Sequence, residues 1–255
     1  ANIGSLEKVK ARRSVIGAVR HTIAQYFKLS EEALNQSPRP DLILWPETAI
    51  PFRLDGEGSW QRLVKKFVND RNTTLITGAY SRGKFEQNRD NNAAFLLEPQ
   101  PDGQLKEDIY RKNILLAFGE YFPGGDIFPQ LYRWFPQVSH FERGREQNIF
   151  ELSDKTRLGV TICYEAIVPS YYRKVVAQGV HAVVNLTNDS WFGPTAEPYQ
   201  HGALSVFRAI ESRVPLFRVT NTGTSFVVDH LGRMSRQTPV YGEGTLVEEV
   251  TLPRT

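Results

Sequence analysis

The chain has 255 residues, of which 40% are hydrophobic and 23% charged, and its formal net charge is +3. This composition is that of a globular protein and excludes a disordered or fibrous chain, and so small a charge gives no reason to expect nucleic acid as a partner. The single cysteine, Cys163, excludes an internal disulfide and Cys-rich zinc sites.

The hydrophobic pattern alternates between helices and short apolar strands. A one-sided apolar stripe from Leu6 to Phe27 predicts a first helix, which the breaker "SPRP" (37–40) ends. Further helices are predicted at about 60–68, 168–178 and 199–212, and strands at 41–45, 73–80, 92–98, 108–111, 157–162, 180–187, 214–220, 224–229 and 244–251. This order predicts one α/β domain over 1–255 with mixed sheets.

Residues 121–143 interrupt this alternation and are called the aromatic arm below. The segment contains seven aromatic residues without a clean period, which predicts a long irregular excursion. It could be a cap folded over the core, or an arm that dips into lipid headgroups, where amphipathic aromatics collect. We favour the second interpretation and expect Trp134 and Phe135 to form the tip.

Three reactive side chains each follow a predicted strand: Glu47, Lys112 and Cys163. In open α/β sheets, sites form at the carboxyl ends of strands. Each residue also has a non-catalytic interpretation. Glu47 could be a surface carboxylate, Lys112 a solvated lysine and Cys163 a small buried hydrophobic residue. Their joint occurrence predicts a shared pocket, and the helix start after Cys163 is expected to favour a thiolate.

These residue types together suit acyl transfer. A cysteine nucleophile needs a base. None of the five histidines has a local sequence arrangement that identifies it as the base, so a desolvated Glu47 is the candidate. Lys112, with a backbone N–H near Tyr164, could stabilise an oxyanion. Glu120 could orient Lys112 or share a proton with Glu47.

The segments around these residues resemble, in their order along the chain, those of the nitrilase superfamily, and within it those of the apolipoprotein N-acyltransferase family. The resemblance covers about residues 41–250, and its motifs are "LILWPETAIP", "RKNILLAFGEYFP", "ICYEAIVP", "NLTNDSWFG", "QHGALSVFRAIESRVPLFRVTNTGTSFVVDHLG" and "PVYGEGTL". The acyltransferase family carries membrane helices on both sides of this domain. The chain lacks an apolar run of the ~18–20 residues that a span needs and does not begin with Met, so we expect a domain excised from a longer membrane protein.

The resemblance implies a nitrilase-like α-β-β-α four-layer sandwich. It makes Glu47 the base, Lys112 the oxyanion stabiliser and Cys163 the nucleophile, with Glu120, Tyr164 and Glu165 in supporting roles. The implied reaction passes a fatty acyl chain from a phospholipid, through a cysteine thioester, to the N-terminal amine of an S-diacylglyceryl-cysteine apolipoprotein. No metal or organic cofactor is implied, and the implied location is the periplasmic face of the bacterial inner membrane.

Candidate substrate contacts are less specific. Asn188 and Trp191 follow a strand and are expected to line the rim, although Asn-Asp-Ser is also ordinary turn chemistry. His201 could be a helix cap, a packing residue or a substrate contact. Trp134 and Phe135 are expected to meet lipid. The alternative function is a soluble nitrilase-superfamily amidase with the same triad, and a catalytically silent binding module is a third interpretation.

Overall fold

A computed structural model describes residues 15–86, 88–146 and 148–252, apart from the side chains of Val15, Trp191 and Phe192. Five α-helices lie in these ranges: α1 (Val15–Leu34), α2 (Ser59–Arg71), α3 (Gln130–Trp134), α4 (Pro169–Val176) and α5 (Glu197–Ser212). The part of the predicted first helix before residue 15 falls outside the described residues. None of the described helices combines the length and hydropathy needed to cross a bilayer.

The first sheet has five strands: β1 (Leu42–Leu44), β2 (Ile50–Arg53), β3 (Thr74–Arg82), β4 (Asp90–Pro99) and β5 (Leu105–Arg111). β1 and β2 run parallel to β3, whereas β4 is antiparallel to both β3 and β5. The strand direction therefore brings the carboxyl ends of β1 and β5 and the amino end of β4 to one edge of the sheet.

The second sheet has the order β10-β9-β8-β7-β6. Its strands are β6 (Ile149–Glu151), β7 (Arg157–Ile162), β8 (Ala182–Thr187), β9 (Leu216–Thr220) and β10 (Phe226–Val228). β7, β8 and β9 are parallel, so that their carboxyl ends share an edge, and antiparallel partners flank them. The predicted mixed sheets are confirmed.

Three apolar cores define four layers. Residues of both sheets, such as Leu96 and Val184, share the central core. Tyr26 of α1 and Val68 of α2 pack on the outer face of the first sheet, while Tyr172 of α4 and Ala209 of α5 pack on the outer face of the second. The fold is thus the expected α-β-β-α sandwich, in which alternate side chains of each strand face opposite layers.

Three strands were predicted incorrectly: one predicted strand is absent and two observed strands were missed. The predicted strand at 244–251 is wrong, because this segment adopts no regular strand and crosses a half-exposed surface. The short strands β2 and β6 are missed, since three or four residues give no readable alternation. The aromatic arm is irregular as predicted, except for the single turn-and-a-half of α3. The single-domain assignment for 1–255 stays a prediction.

Candidate active site

The carboxyl ends of strands from both sheets supply the candidate residues. Lys112 follows β5, and Cys163 follows β7 directly. Glu47 is the third residue after β1, and Asn92 lies near the start of β4, where its carbonyl accepts a hydrogen bond from the Lys112 backbone N–H at 2.9 Å. The Asn188 N–H, just after β8, donates to Glu47 Oε2 at 2.7 Å and so joins the two sheet edges.

Lys112 lies between two carboxylates in a dry environment. Its Nζ is 2.8 Å from Glu120 Oε2 and 3.4 Å from Glu47 Oε1. The amide of Asn92 joins the same pair of acids, because its Nδ2 donates to Glu47 Oε1 at 2.6 Å and to Glu120 Oε1 at 2.7 Å. All four side chains are buried. The predicted base, cation and supporting acid therefore form one hydrogen-bonded cluster.

Burial and neighbouring charges together decide the protonation of this cluster. Burial alone would lower the pKa of Lys112, but the neighbouring charges of Glu47 and Glu120 outweigh it and raise the pKa well above its usual value. Burial raises the pKa of Glu47, against the attraction of Lys112, and the charge of Glu120 raises it further. Lys112 is thus a fixed cation, and Glu47 is the acid in the cluster poised to take up a proton.

Cys163 occupies a backbone conformation that few non-glycine residues adopt. Its φ is 51°, in the left-handed region, at the junction of β7 and a short 3-10 turn (Cys163–Ile167). Burial and the charge of Glu47 raise the pKa of the thiol well above its usual range, although Lys112 opposes them. The expected thiolate at rest is therefore not favoured, and the thiol needs a base.

Glu165 is completely buried next to this turn. Its carboxylate accepts hydrogen bonds from the backbone N–H groups of Ile162, Asn113 and Ile114 at 2.7 to 2.9 Å and from the Tyr110 hydroxyl at 2.7 Å. Burial raises the pKa of Glu165 to about 7, while Lys112 and the donors oppose the shift. Glu165 connects the cysteine turn to the residues that follow Lys112.

Gly78 allows the backbone of Glu47 to approach β3. A Cβ at Gly78 would lie 2.5 Å from the Cα of Glu47 and 2.6 Å from the carbonyl oxygen of Pro46. No side chain can occupy such a space without moving the Glu47 segment. Sequence reasoning missed Gly78, although a glycine in the middle of the apolar strand "TLITGAY" is the signal of a close backbone approach.

The remaining predicted residues are divided between the rim and the interior. Tyr164 is 40% exposed beside Cys163. Asn188 contributes its backbone to Glu47, and its side-chain oxygen accepts from Asn221 at 2.6 Å. His201 is buried, with Nδ1 3.0 Å from Asp189 Oδ1, so the structure does not bring it to the rim. The side chain of Trp191 lies outside the described part of the chain.

The aromatic arm is rooted at the cluster. The Phe141 N–H donates to the carbonyl of Glu120, and the Ser139 N–H donates to the carbonyl of Gly119 at 2.8 Å, closing the arm at its base. Trp134 is 71% exposed and Phe135 40% exposed. The two residues expected at the tip are therefore not part of the core of the sandwich.

One cluster among the described residues has the composition of a metal site: Asp189, Glu197 and His201. Asp189 is already paired with Arg218, whose Nη2 lies 2.9 Å from Asp189 Oδ2. A fixed guanidinium at that distance repels a second cation. The donor set therefore does not fit a metal ion.

Sequence reasoning missed three buried polar residues of this region: Asn92, Asn185 and Arg218. Each lies within or at the start of an apolar strand, in "DNNAAFLL", "AVVNLT" and "LFRVT". A polar side chain in a fully buried strand needs a partner. This interruption is the signal that could have identified them.

Comparisons with known sequences identify the family. Residues 14–255 match the profile described as "Carbon-nitrogen hydrolase". The chain is 39% identical over 254 residues to an apolipoprotein N-acyltransferase of Bdellovibrio bacteriovorus, covering 95% of this chain and 46% of the relative. For an apolipoprotein N-acyltransferase of Geobacter metallireducens, the identity is 35% over 235 residues, with coverages of 91% and 44%. The chain thus spans less than half the length of these relatives.

Solved structures agree on the fold. A carbon-nitrogen hydrolase from Helicobacter pylori superposes with a TM-score of 0.65 at 19% identity, over 88% of this chain and 82% of that one. An amidase from Nesterenkonia sp. gives a TM-score of 0.64 at 18% identity, over 87% and 81%. At such identities the likeness concerns the fold alone, whereas the family profile extends over nearly the whole sequence. The chain belongs to the carbon-nitrogen hydrolase family.

Proposed function

We propose that this chain is the acyl-transferring domain of an apolipoprotein N-acyltransferase, with Glu47, Lys112 and Cys163 as its catalytic residues. One observation carries the proposal. A buried lysine, Lys112, is held between the carboxylates of Glu47 and Glu120, and the charges of Glu47 and Lys112 both act on the pKa of the Cys163 thiol. The likeness to relatives that bear this name supports the choice of reaction.

In the first half-reaction, Glu47 takes the proton of the Cys163 thiol and the sulfur attacks the ester carbonyl of a phospholipid. The carbonyl oxygen becomes an oxyanion beside Lys112. An ammonium group has three N–H donors, of which Glu47 and Glu120 use two, so the third can stabilise the oxyanion. The C–O bond then breaks, Glu47 protonates the leaving alkoxide, and a lysophospholipid departs from the thioester.

In the second half-reaction, the N-terminal amine of an S-diacylglyceryl-cysteine apolipoprotein attacks the thioester carbonyl. Glu47 accepts the amine proton, the C–S bond breaks, and the proton returns to the sulfur as the amide forms. The chemistry is covalent catalysis in two steps with a single base. The buried setting of Glu47 supports this dual role, because a raised pKa makes a carboxyl both an acceptor and a donor.

Both substrates carry acyl chains, so we place the domain at a membrane surface, on the periplasmic face of the bacterial inner membrane. The aromatic arm is the proposed contact with the bilayer. Its exposed apolar residues are Ile127, Phe128, Trp134 and Phe135. The arm closes on Glu120, so a lipid held by it would enter beside the catalytic cluster.

The test is the intact mass of the chain after incubation with phosphatidylethanolamine vesicles. We expect the mass to increase by one acyl group on wild type and not on Cys163→Ala. Addition of an S-dipalmitoylglyceryl-cysteine peptide should remove the acyl group and give the N-acylated peptide.

Two results would contradict the proposal. If the acyl group is lost to water at the same rate without the peptide, the chain is a hydrolase of the amidase type. If Cys163→Ala acquires the same mass as wild type, Cys163 is not the nucleophile.

A further inference from the structure

A buried polar row crosses the second sheet behind the nucleophile. Thr161 of β7, Asn185 of β8 and Arg218 of β9 are register partners in neighbouring parallel strands. Partners in register point to the same face, which is here the face covered by α5. All three are buried, so the row is not part of the pocket surface.

Arg218 uses both ends of its guanidinium fork within this row. Nη1 donates to Asn185 Oδ1 at 3.1 Å, and Nη2 donates to Asp189 Oδ2 at 2.9 Å. Such a planar fork fixes two acceptors relative to each other, which a lysine ammonium cannot do. The fork therefore locks the end of β8 to the turn that follows it.

Each acceptor leads to a different part of the candidate active site. Asn185 turns its Nδ2 toward the backbone carbonyl of Cys163, at 3.3 Å. Asp189 begins the short 3-10 turn (Asp189–Phe192) directly after Asn188, whose N–H donates to Glu47 at 2.7 Å. One guanidinium thus connects the turn of the nucleophile with the amide that holds the base.

The contacts around Asp189 indicate that Asp189 and Arg218 form a single rigid unit. His201 bonds the second oxygen of Asp189 at 3.0 Å. Burial lowers the pKa of His201, and the hydrogen bond with Asp189 opposes this shift. A Cβ on Gly223 would overlap Asp189 Oδ2, which excludes any side chain there. Asp189 is consequently held from three sides.

We propose that Arg218 is a positioning residue, which acts through Asn185 on the left-handed turn of Cys163 and through Asp189 on the Asn188 amide that orients Glu47. The ordinary alternative is a buried ion pair that only stabilises the sheet. The inference rests on the proposed function only in taking Cys163 as the reacting group and Glu47 as its base. Its test therefore uses a small activated ester and needs neither phospholipid nor apolipoprotein.

The test is turnover of p-nitrophenyl acetate by Asn185→Asp, in which the donor facing the Cys163 carbonyl becomes an acceptor. Asn148→Asp is the matched control, because Asn148 is also buried and donates to a carbonyl of β7, that of Val160, at 2.9 Å. We expect Asn185→Asp to lower kcat on the order of 10- to 100-fold with KM unchanged, which is the cost of a misplaced reacting group. The control should retain kcat, and the two variants should lose similar Tm.

If Asn185→Asp does not fold, Arg218→Lys carries the same test. It keeps the buried positive charge but loses the fork, and kcat should again fall without a change in KM. Equal kcat losses in Asn185→Asp and Asn148→Asp would overturn the proposal, as would wild-type kcat in a folded Arg218→Lys. Failure of phospholipid transfer with these ester results intact would count against the proposed function alone.

Discussion

The two charged residues that begin and end segment 112–120 differ in exposure from the apolar residues of the aromatic arm that follows it. Lys112 and Glu120 are polar and almost completely buried, each with several partners. Ile127, Phe128 and Trp134 are apolar and more than 60% exposed. Burying charge and exposing aromatics both cost free energy in water. The contrast suggests that the first region is organised for chemistry and the second for a surface other than water.

The largest effect is expected from Lys112→Met, which removes the buried ammonium group from the polar region of this comparison. Loss of one oxyanion contact should slow thioester formation on the order of 10²- to 10³-fold. Rapid-quench mass measurement of acylated Cys163 gives the rate. Lys106→Met, at the far end of the same strand and paired with Glu98, is the control and should keep the wild-type rate. A loss of less than tenfold in Lys112→Met would remove Lys112 from the mechanism.

Glu165 predicts a pH dependence of stability. Its pKa is about 7 in the folded protein against 4.5 as the ordinary value. A raised pKa means that its contribution is fully present below pH 4.5 and is lost as the pH rises through about 7. The free energy of unfolding should therefore fall by about 3 kcal/mol more in wild type than in Glu165→Gln across this window.

Urea unfolding of the two proteins at several pH values measures this difference. Glu248→Gln, at an exposed position, is the control and should follow wild type. Parallel curves for wild type and Glu165→Gln would show that Glu165 stays ionised throughout the window.

Gly78→Ala tests how tightly the pocket is built. The new Cβ would require the Glu47 segment to move, which should lower kcat toward a small ester by about 10- to 100-fold and destabilise the fold by about 1–3 kcal/mol. Gly244→Ala is the control, since a Cβ there meets no atom of the described residues within 4 Å. Wild-type kcat in Gly78→Ala would mean that the position of Glu47 is not critical.

The smallest effect is expected at the arm. The double substitution Trp134→Ser and Phe135→Ser should lower turnover on phospholipid vesicles about tenfold, while turnover of a small soluble ester stays the same. Leu204→Ser with Phe207→Ser, two exposed apolar residues of α5, is the matched control and should affect neither assay. Equal losses on both substrates would make the arm a structural cap.

Much of this arrangement could be predicted from the sequence, because the reactive residues come just after strands whose ends are recognisable. Glu47, Lys112 and Cys163 each follow a strand that is recognisable from its apolar run, and the strand ends bring Glu47 and Lys112 into contact. The partners that make them a unit were not predictable in the same way. Asn92 and Arg218 act through cross-strand register, which depends on the sheet order. The raised pKa of Cys163 depends on burial, which a local helix start does not reveal.

The central claim is that Glu47 and Cys163 share a proton in one buried cluster. Thiolate absorbance in the ultraviolet tests it most directly, since Cys163 is the only cysteine. Because the charge of Glu47 raises the pKa of the thiol, Glu47→Gln should lower the titration midpoint while abolishing ester turnover. An unchanged midpoint with turnover retained would contradict the account.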